Sequence, residues 1–441
     1  MKKTLTSITL LLVGSLVYYF IYGSQQITQE LKRQVDMHLE VLQKNGFAIE
    51  EREIKESSEH FVLHYKDPTK IQKYFKEKNI KMKTDDTQML KGFKLASDIS
   101  YMQGFYSAVS MDLYPVALPE MIREKTTQND LNKMQKLLKE KIFLIHLDIN
   151  KIFTSFKGYV KDIDTTFGTI KVVSTQVKFD GDFTTQRLTA STSSIQEFSI
   201  NTATDLNISL KNLHGTYKQK GDSPYSFDSK QQIDMIAIQL SNGTSVELKN
   251  LDFQNNSNSS DQRINSQFIS KFAELHIIDT QNRYSIENLN SKISLEKLSI
   301  SALETLQSID INNPKERQKL NKAIKMLITD GTRLNIEYIK ANKVLDSSTN
   351  KMVDGFDANA YFTLNKNINL REIQSNPFAL LSAVESKAHI SLSDSLYNIA
   401  KKRAELSLIL LFVKPISKEQ KKIFDITYQN SHLKINGNQI L

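Results

Sequence analysis

Residues 142–150 read Ile-Phe-Leu-Ile-His-Leu-Asp-Ile-Asn, and at this point the apolar period of the chain changes to two. Phe143, Ile145, Leu147 and Ile149 alternate with other residues. Alternation of that kind belongs to a strand with one buried face, because successive side chains of a strand point to opposite faces. The pattern recurs downstream in Ile170, Val172 and Ser174, in Ile208 and Leu210, and in Val246 and Leu248. It predicts antiparallel strand for most of residues 142–300. Asp180-Gly181 and Asn242-Gly243 lie between such runs and read as tight hairpin turns. Asn255 to Gln262 (NNSNSSDQ) reads as a polar loop.

A spacing is superimposed on this region. Leu210-Lys211-Asn212-Leu213, Leu248-Lys249-Asn250-Leu251 and Ile286-Glu287-Asn288-Leu289 recur every 38 residues. Read as a repeat, the unit is one long hairpin stacked on the next.

Upstream, Ile27–Asn45 has a helical stripe of Ile27, Leu31, Val35, Leu39 and Leu42, stopped by Gly46. Phe47–Lys55 and His60–Lys66 are short strand candidates, Pro68, Pro115 and Pro119 punctuate a mixed region, and Asp130–Lys141 is helical. Before all of this stands Thr4–Tyr22, uncharged throughout and preceded by Lys2 and Lys3. As a helix it spans roughly 28 Å, about one hydrocarbon core. A cleaved signal peptide has a shorter apolar run and small residues at the cut, whereas this run ends in Tyr18, Tyr19, Phe20 and Tyr22. The reading is a retained membrane anchor, with the basic tail in the cytoplasm and the bulk of the chain outside it.

Downstream, helical signals return after Ser299. Asn313 and Pro314 open a helix with Leu320, Ala323, Ile324 and Leu327 on one side, and Gly331 stops it. Leu334, Ile336 and Tyr338 alternate, as do Ala358, Ala360 and Phe362. A short helix over Pro377–Glu385, a strand over His389–Ser393 and a helix from Asp394 to about Leu411 follow. The end alternates again in Phe424, Ile426 and Tyr428 and in Leu433 and Ile435, with Asn436-Gly437 turning. Leu406–Val413 is apolar but too short to span a membrane.

The fold class expected is α+β: an N-terminal transmembrane helix, then a strand-rich elongated antiparallel body with peripheral helices towards the C-terminus. The divisions expected are 1–23 (tail and anchor), 24–141 (stalk helix and mixed region), 142–300 (strands) and 301–441 (helices and strands).

Zero Cys excludes disulfides, thiol catalysis and most zinc sites, and few Gly argue against glycine-rich cofactor loops. The formal net charge of +9 is spread along the chain, without the basic block and interleaved aromatics of a nucleic-acid binder. His60 and His64 have a metal-ligand spacing for a helix, but Phe61-Val62-Leu63 between them is strand-like and holds the rings apart. Asp180-Gly181-Asp182 reads as a turn before a cation site, Ser294 and Lys297 have a serine–lysine spacing without partner motifs, and Asp85-Asp86 reads as a cap or solvated loop. No catalytic, cofactor or metal residue is assigned.

At the two ends the chain resembles a known family. Asn312-Asn313-Pro314, a helix to Leu327, Gly331, the polar loop Ser347–Thr349, Leu381–Leu392 (LSAVESKAHISL) and the closing Thr427–Ile440 (TYQNSHLKINGNQI) are similar to the YdgA-like bacterial proteins of unknown function. So are the apolar segment ending in Tyr22-Gly23 and the following helix with Glu30 and Leu31. The resemblance implies a single-pass inner-membrane protein with its bulk in the periplasm, and no activity. Two functions remain in view: a binding or scaffold protein whose partners are envelope proteins or lipid, or a hydrolase acting on envelope material. The first is preferred, with no cofactor and no nucleic acid, and oligomeric state is left open. An apolar sheet face left uncovered by helices would mark a lipid-type ligand; a covered one would mark a scaffold.

Overall fold

The computed structural model describes residues 28–78, 84–101, 106–184, 187–202, 205–280, 282–309, 316–364, 384–402, 413–429 and 431–440. The chain divides after Ala203 into two compact units.

In the first unit, β1 (Phe47–Ile54), β2 (Ser58–Tyr65), β3 (Lys94–Tyr101), β4 (Ser107–Ala117), β5 (Ile145–Asn150) and β6 (Ser155–Val160) each pair antiparallel with the next. The chain then makes one long hairpin. β6 and β7 (Ile163–Phe167) form its first arm, Gly168 (φ +58) turns it, and β8 (Ile170–Thr175) and β9 (Val177–Thr184) return. β10 (Arg187–Thr202) lies along both β8 and β9. Helices fill the longer connections, and two of them pack on one face. Leu31, Val35 and Leu39 of the helix Thr28–Lys44, and Ile71 and Phe75 of the helix Pro68–Glu77, share a core with Phe47, Ile99, Met111, Ile145, Leu147, Ile149 and Phe156. Within 142–150 the alternation holds from Ile145, with Ile145, Leu147 and Ile149 all buried, while Phe143 lies in the turn before β5.

In the second unit, β11 (Leu206–Gln219), β12 (Phe227–Leu240), β13 (Ser245–Ser260), β14 (Arg263–Ile278), β15 (Arg283–Ser299), β16 (Arg333–Asp346), β17 (Lys351–Leu364) and β18 (Val384–Ser393) follow one another, all antiparallel. β20 (Lys421–Gln429) pairs with β18 and carries the short β19 (Ile416–Lys418) and β21 (His432–Ile435) on its other side. The helices Ile300–Ser308 and Arg317–Asp330 connect β15 to β16. Ser299 accepts from the Ala302 amide and so caps the first of them. Gly331 (φ +67) ends the second.

Four expectations are corrected. The described chain is not an α+β body behind a transmembrane helix. It is antiparallel β throughout, with strands from Phe47 onward and short helices set in the connections. The inner-membrane, single-pass placement has no support among the described residues. Among the described residues no helix is long and apolar enough to cross a membrane. The helix Thr28–Lys44 carries Glu30, Lys32, Arg33, Asp36 and Glu40, charges that a hydrocarbon core rejects. Thr4–Tyr22 lies outside the described residues, as do Asn312–Pro314, most of Pro377–Glu385 and most of Leu406–Val413.

Asp180-Gly181 is not a turn. It lies inside β9, where Gly181 pairs with Phe156 and Ser191. A Cβ there would stand 2.6 Å from the Ala190 carbonyl and 2.9 Å from the Phe156 ring, so the glycine serves close approach within the sheet. Asn255–Ser260 is not a loop. It is the end of β13, and only Asp261-Gln262 (φ +50 and +61) turns. The polar side chains there satisfy one another across strands, as in the 2.8 Å bond between the Ser257 and Ser266 hydroxyls.

Candidate functional site

The 38-residue spacing is a property of the second unit's sheet. The three copies fall in β11, β13 and β15, strands that run in the same direction. In each copy the Asn is left-handed: Asn212 φ +51, Asn250 φ +50, Asn288 φ +53. Asn is among the few non-glycine residues that adopt this conformation at low cost. The ladder passes each of these residues without a change of register to the neighbouring strands.

The side-chain pattern changes at the same place. In β11 the apolar series is Leu206, Ile208 and Leu210 before Asn212, then Leu213, Gly215 and Tyr217 after it. A strict pleat would put the two series on opposite faces. In β11, β13 and β15 a left-handed, exposed Asn stands where the apolar series changes parity. Polar residues fall outside it: Lys211, Lys249, Glu274, Glu287 and Lys343 share a row, with Lys249 Nζ 2.9 Å from Glu274.

Two apolar rows flank the Asn row. Leu210, Ile236, Leu248, Leu275, Ile286, Val344 and Val353 are each the cross-strand partner of the next, over seven strands. Beside them stand Leu213, Ile233, Leu251, Phe272, Leu289, Ala341 and Phe356. Of these fourteen side chains only Ile233 and Ala341 are buried; the others are half-buried. None belongs to a hydrophobic core cluster among the described residues. The described helices of this unit pack on β15 to β18 and on β20, with Tyr397 against Phe424 at 6.2 Å. Seven strands at about 4.8 Å spacing make the band roughly 29 Å long.

The face of the first unit's sheet opposite its core carries titratable groups instead. Asp98 takes bonds from His60 Nδ1 (2.6 Å), Tyr114 (2.9 Å) and Lys141 (2.8 Å). Burial pushes its carboxyl up, but those three bonds outweigh burial and hold it below the usual range. Next to it His146 sits between Asp112 (2.7 Å) and Asp148 (3.3 Å), stacked on Tyr159. The Asp112 bond, opposed by burial and aided by Asp148, raises the imidazole above its ordinary value. Every member of this network has a partner within the protein, which suits holding strands together.

The residues singled out in the sequence do not assemble. His60 and His64 bond different carboxylates, Asp98 and Glu50. Among the described residues no group of three or more His, Asp or Glu is arranged to hold a metal ion. Asp180 accepts from Thr192 within the sheet. Ser294 donates to Glu337 at 2.9 Å, while Lys297 is exposed on left-handed backbone (φ +56). Asp85 and Asp86 lie in the helix Thr84–Met89. The sequence signal that did point to the site was the 38-residue spacing, whose meaning depended on the strand register.

No curated protein and no solved structure matches the chain. The model of one family, described as bacterial protein of unknown function (DUF945), matches residues 153–398, more than half of the chain and all of the apolar band. The chain belongs to the DUF945 family of bacterial proteins.

Proposed function

We propose that this is a binding protein that holds an elongated apolar ligand of the lipid acyl class on the band between β11 and β17. The carrying observation is the pair of registered apolar rows, half-buried and outside any described core. The first unit shows the alternative: there, helices seal the apolar face into a core. Apolar rows of this extent on a folded protein mark an interaction site. The fourteen side chains of the two rows carry no hydrogen-bonding group, which suits a hydrocarbon chain better than a polar peptide, and the polar groups of Asn212, Asp234, Asn250 and Asn288 run between the rows. Within the family we place the chain with the YdgA-like members, on its closing segment TYQNSHLKINGNQI. Among the described residues no chemical constellation favours the hydrolase reading. Displacement of a fluorescent fatty acid from the full-length protein tests the proposal. Saturable binding that is lost in Leu248→Glu/Leu275→Glu supports it, and absence of binding to the unaltered protein refutes it.

A further inference from the structure

A cavity of about 290 Å³ lies on strands β11 to β14. Its lining follows the register in two rows. Thr216 pairs with Lys230, Lys230 with Gln254, and Gln254 with Ile269. Lys218 pairs with Asp228, Asp228 with Asn256, and Asn256 with Gln267. The volume stands at the low end of the roughly 300–1,000 Å³ of small-molecule sites, which suits a mono- or disaccharide.

The neighbours of these side chains fix which of their atoms remain available. Gln254 gives its amide N–H to Asp252 (3.1 Å) and Gln267 gives its own to Glu337 (3.2 Å), which leaves both amide oxygens as acceptors. Asn256 accepts at its oxygen from Lys220 (3.1 Å) and Asn258 (3.2 Å), which leaves its NH2 group as a donor. Asp228 is neutralised by Lys220 at 2.6 Å and Lys230 faces Asp252 at 3.5 Å. The charges of the lining are therefore mostly spent inside the protein, while oriented amide donors and acceptors alternate over a few ångströms. Vicinal hydroxyls, each both donor and acceptor, match that alternation. A polyanion would meet the Gln254 and Gln267 oxygens and the Asp228 carboxylate.

We infer that this cavity binds a neutral, hydroxyl-rich saccharide, independently of the apolar band. Saturation-transfer NMR on the full-length protein with cellobiose, maltose and a glucuronate-containing disaccharide tests it. Transfer to at least one neutral disaccharide is expected, weakened about tenfold or more in Gln254→Leu/Gln267→Leu. Lys218→Met, a change at an exposed position, should also weaken it, and Leu248→Glu should leave it unchanged. Melting midpoints show that each variant is folded. No transfer to either neutral disaccharide at about 10 mM, undiminished transfer in the folded double variant, or a preference for the acidic sugar would each overturn the inference.

Discussion

Asn212 and Asn250 stand in one register row, each across from Asp234 on the strand between them, and both hold left-handed backbone. Asn212 also donates from its side-chain amide to Asp234 at 2.8 Å. In the next strand but one, Asn288 repeats the conformation, and in β17 the same row arrives at Gly355. A Cβ on Gly355 would stand 2.1 Å from the Ala341 carbonyl. The row thus combines left-handed Asn in alternate strands β11, β13 and β15 with a sterically required glycine in β17.

This gives a first prediction. Asn250→Val should destabilise the protein by about 1–2 kcal/mol, the cost of a left-handed residue with a full side chain, and Asn250→Gly should be near neutral. Urea unfolding of the three proteins measures both. Equal losses for Val and Gly would mean that the side chain of Asn250, not its backbone, matters.

If the 38-residue unit is one interchangeable hairpin, then removing residues 213–250 joins Asn212 to Leu251 in register. The shortened chain should keep a cooperative melt and a strand-type circular dichroism spectrum. A chain without a cooperative transition would show that the copies are not equivalent.

Much of this fold was legible in alternation, because Ile145, Leu147 and Ile149 report one buried face directly. What was not legible was decided by tertiary register. Asp180-Gly181 has turn chemistry, yet its glycine is needed where Phe156 and the Ala190 carbonyl crowd β9. NNSNSS has loop composition, but Ser257 and Ser266 bond across strands and the backbone ladder continues. The apolar band escaped because its two halves differ in parity, with a left-handed Asn at the change in β11, β13 and β15.

His146 should titrate above an ordinary histidine, and Asp112→Asn should bring it down. The sign follows from linkage. A histidine raised by folding stabilises most fully at pH below its unfolded value, about 6.5, and that contribution fades as pH rises through the folded value. Proton NMR of the imidazole reads the first effect. A titration at or below the ordinary value in the unaltered protein would remove the ion-pair reading of Asp112.

The C-terminal hairpin should be structural. Phe424 and Ile435 are buried in a cluster with Val413, Ile390 and Leu392. Phe424→Ala should cost about 3–5 kcal/mol, and removal of residues 425–441 should lower the melting temperature clearly. Equal midpoints for full-length and truncated chains would mean that β20 and β21 do not support the sheet.

The central claim is that the rows through Leu248 and Leu251 form a ligand surface and not a surface that is merely tolerated. Its most direct measurement is fatty-acid binding to the full-length protein beside Leu248→Glu/Leu275→Glu, with circular dichroism showing that both are folded. Saturable binding by the unaltered chain is expected, weakened at least about tenfold in the folded variant, because two half-buried apolar contacts become charged. Binding of equal strength in both, or none in either, would contradict it.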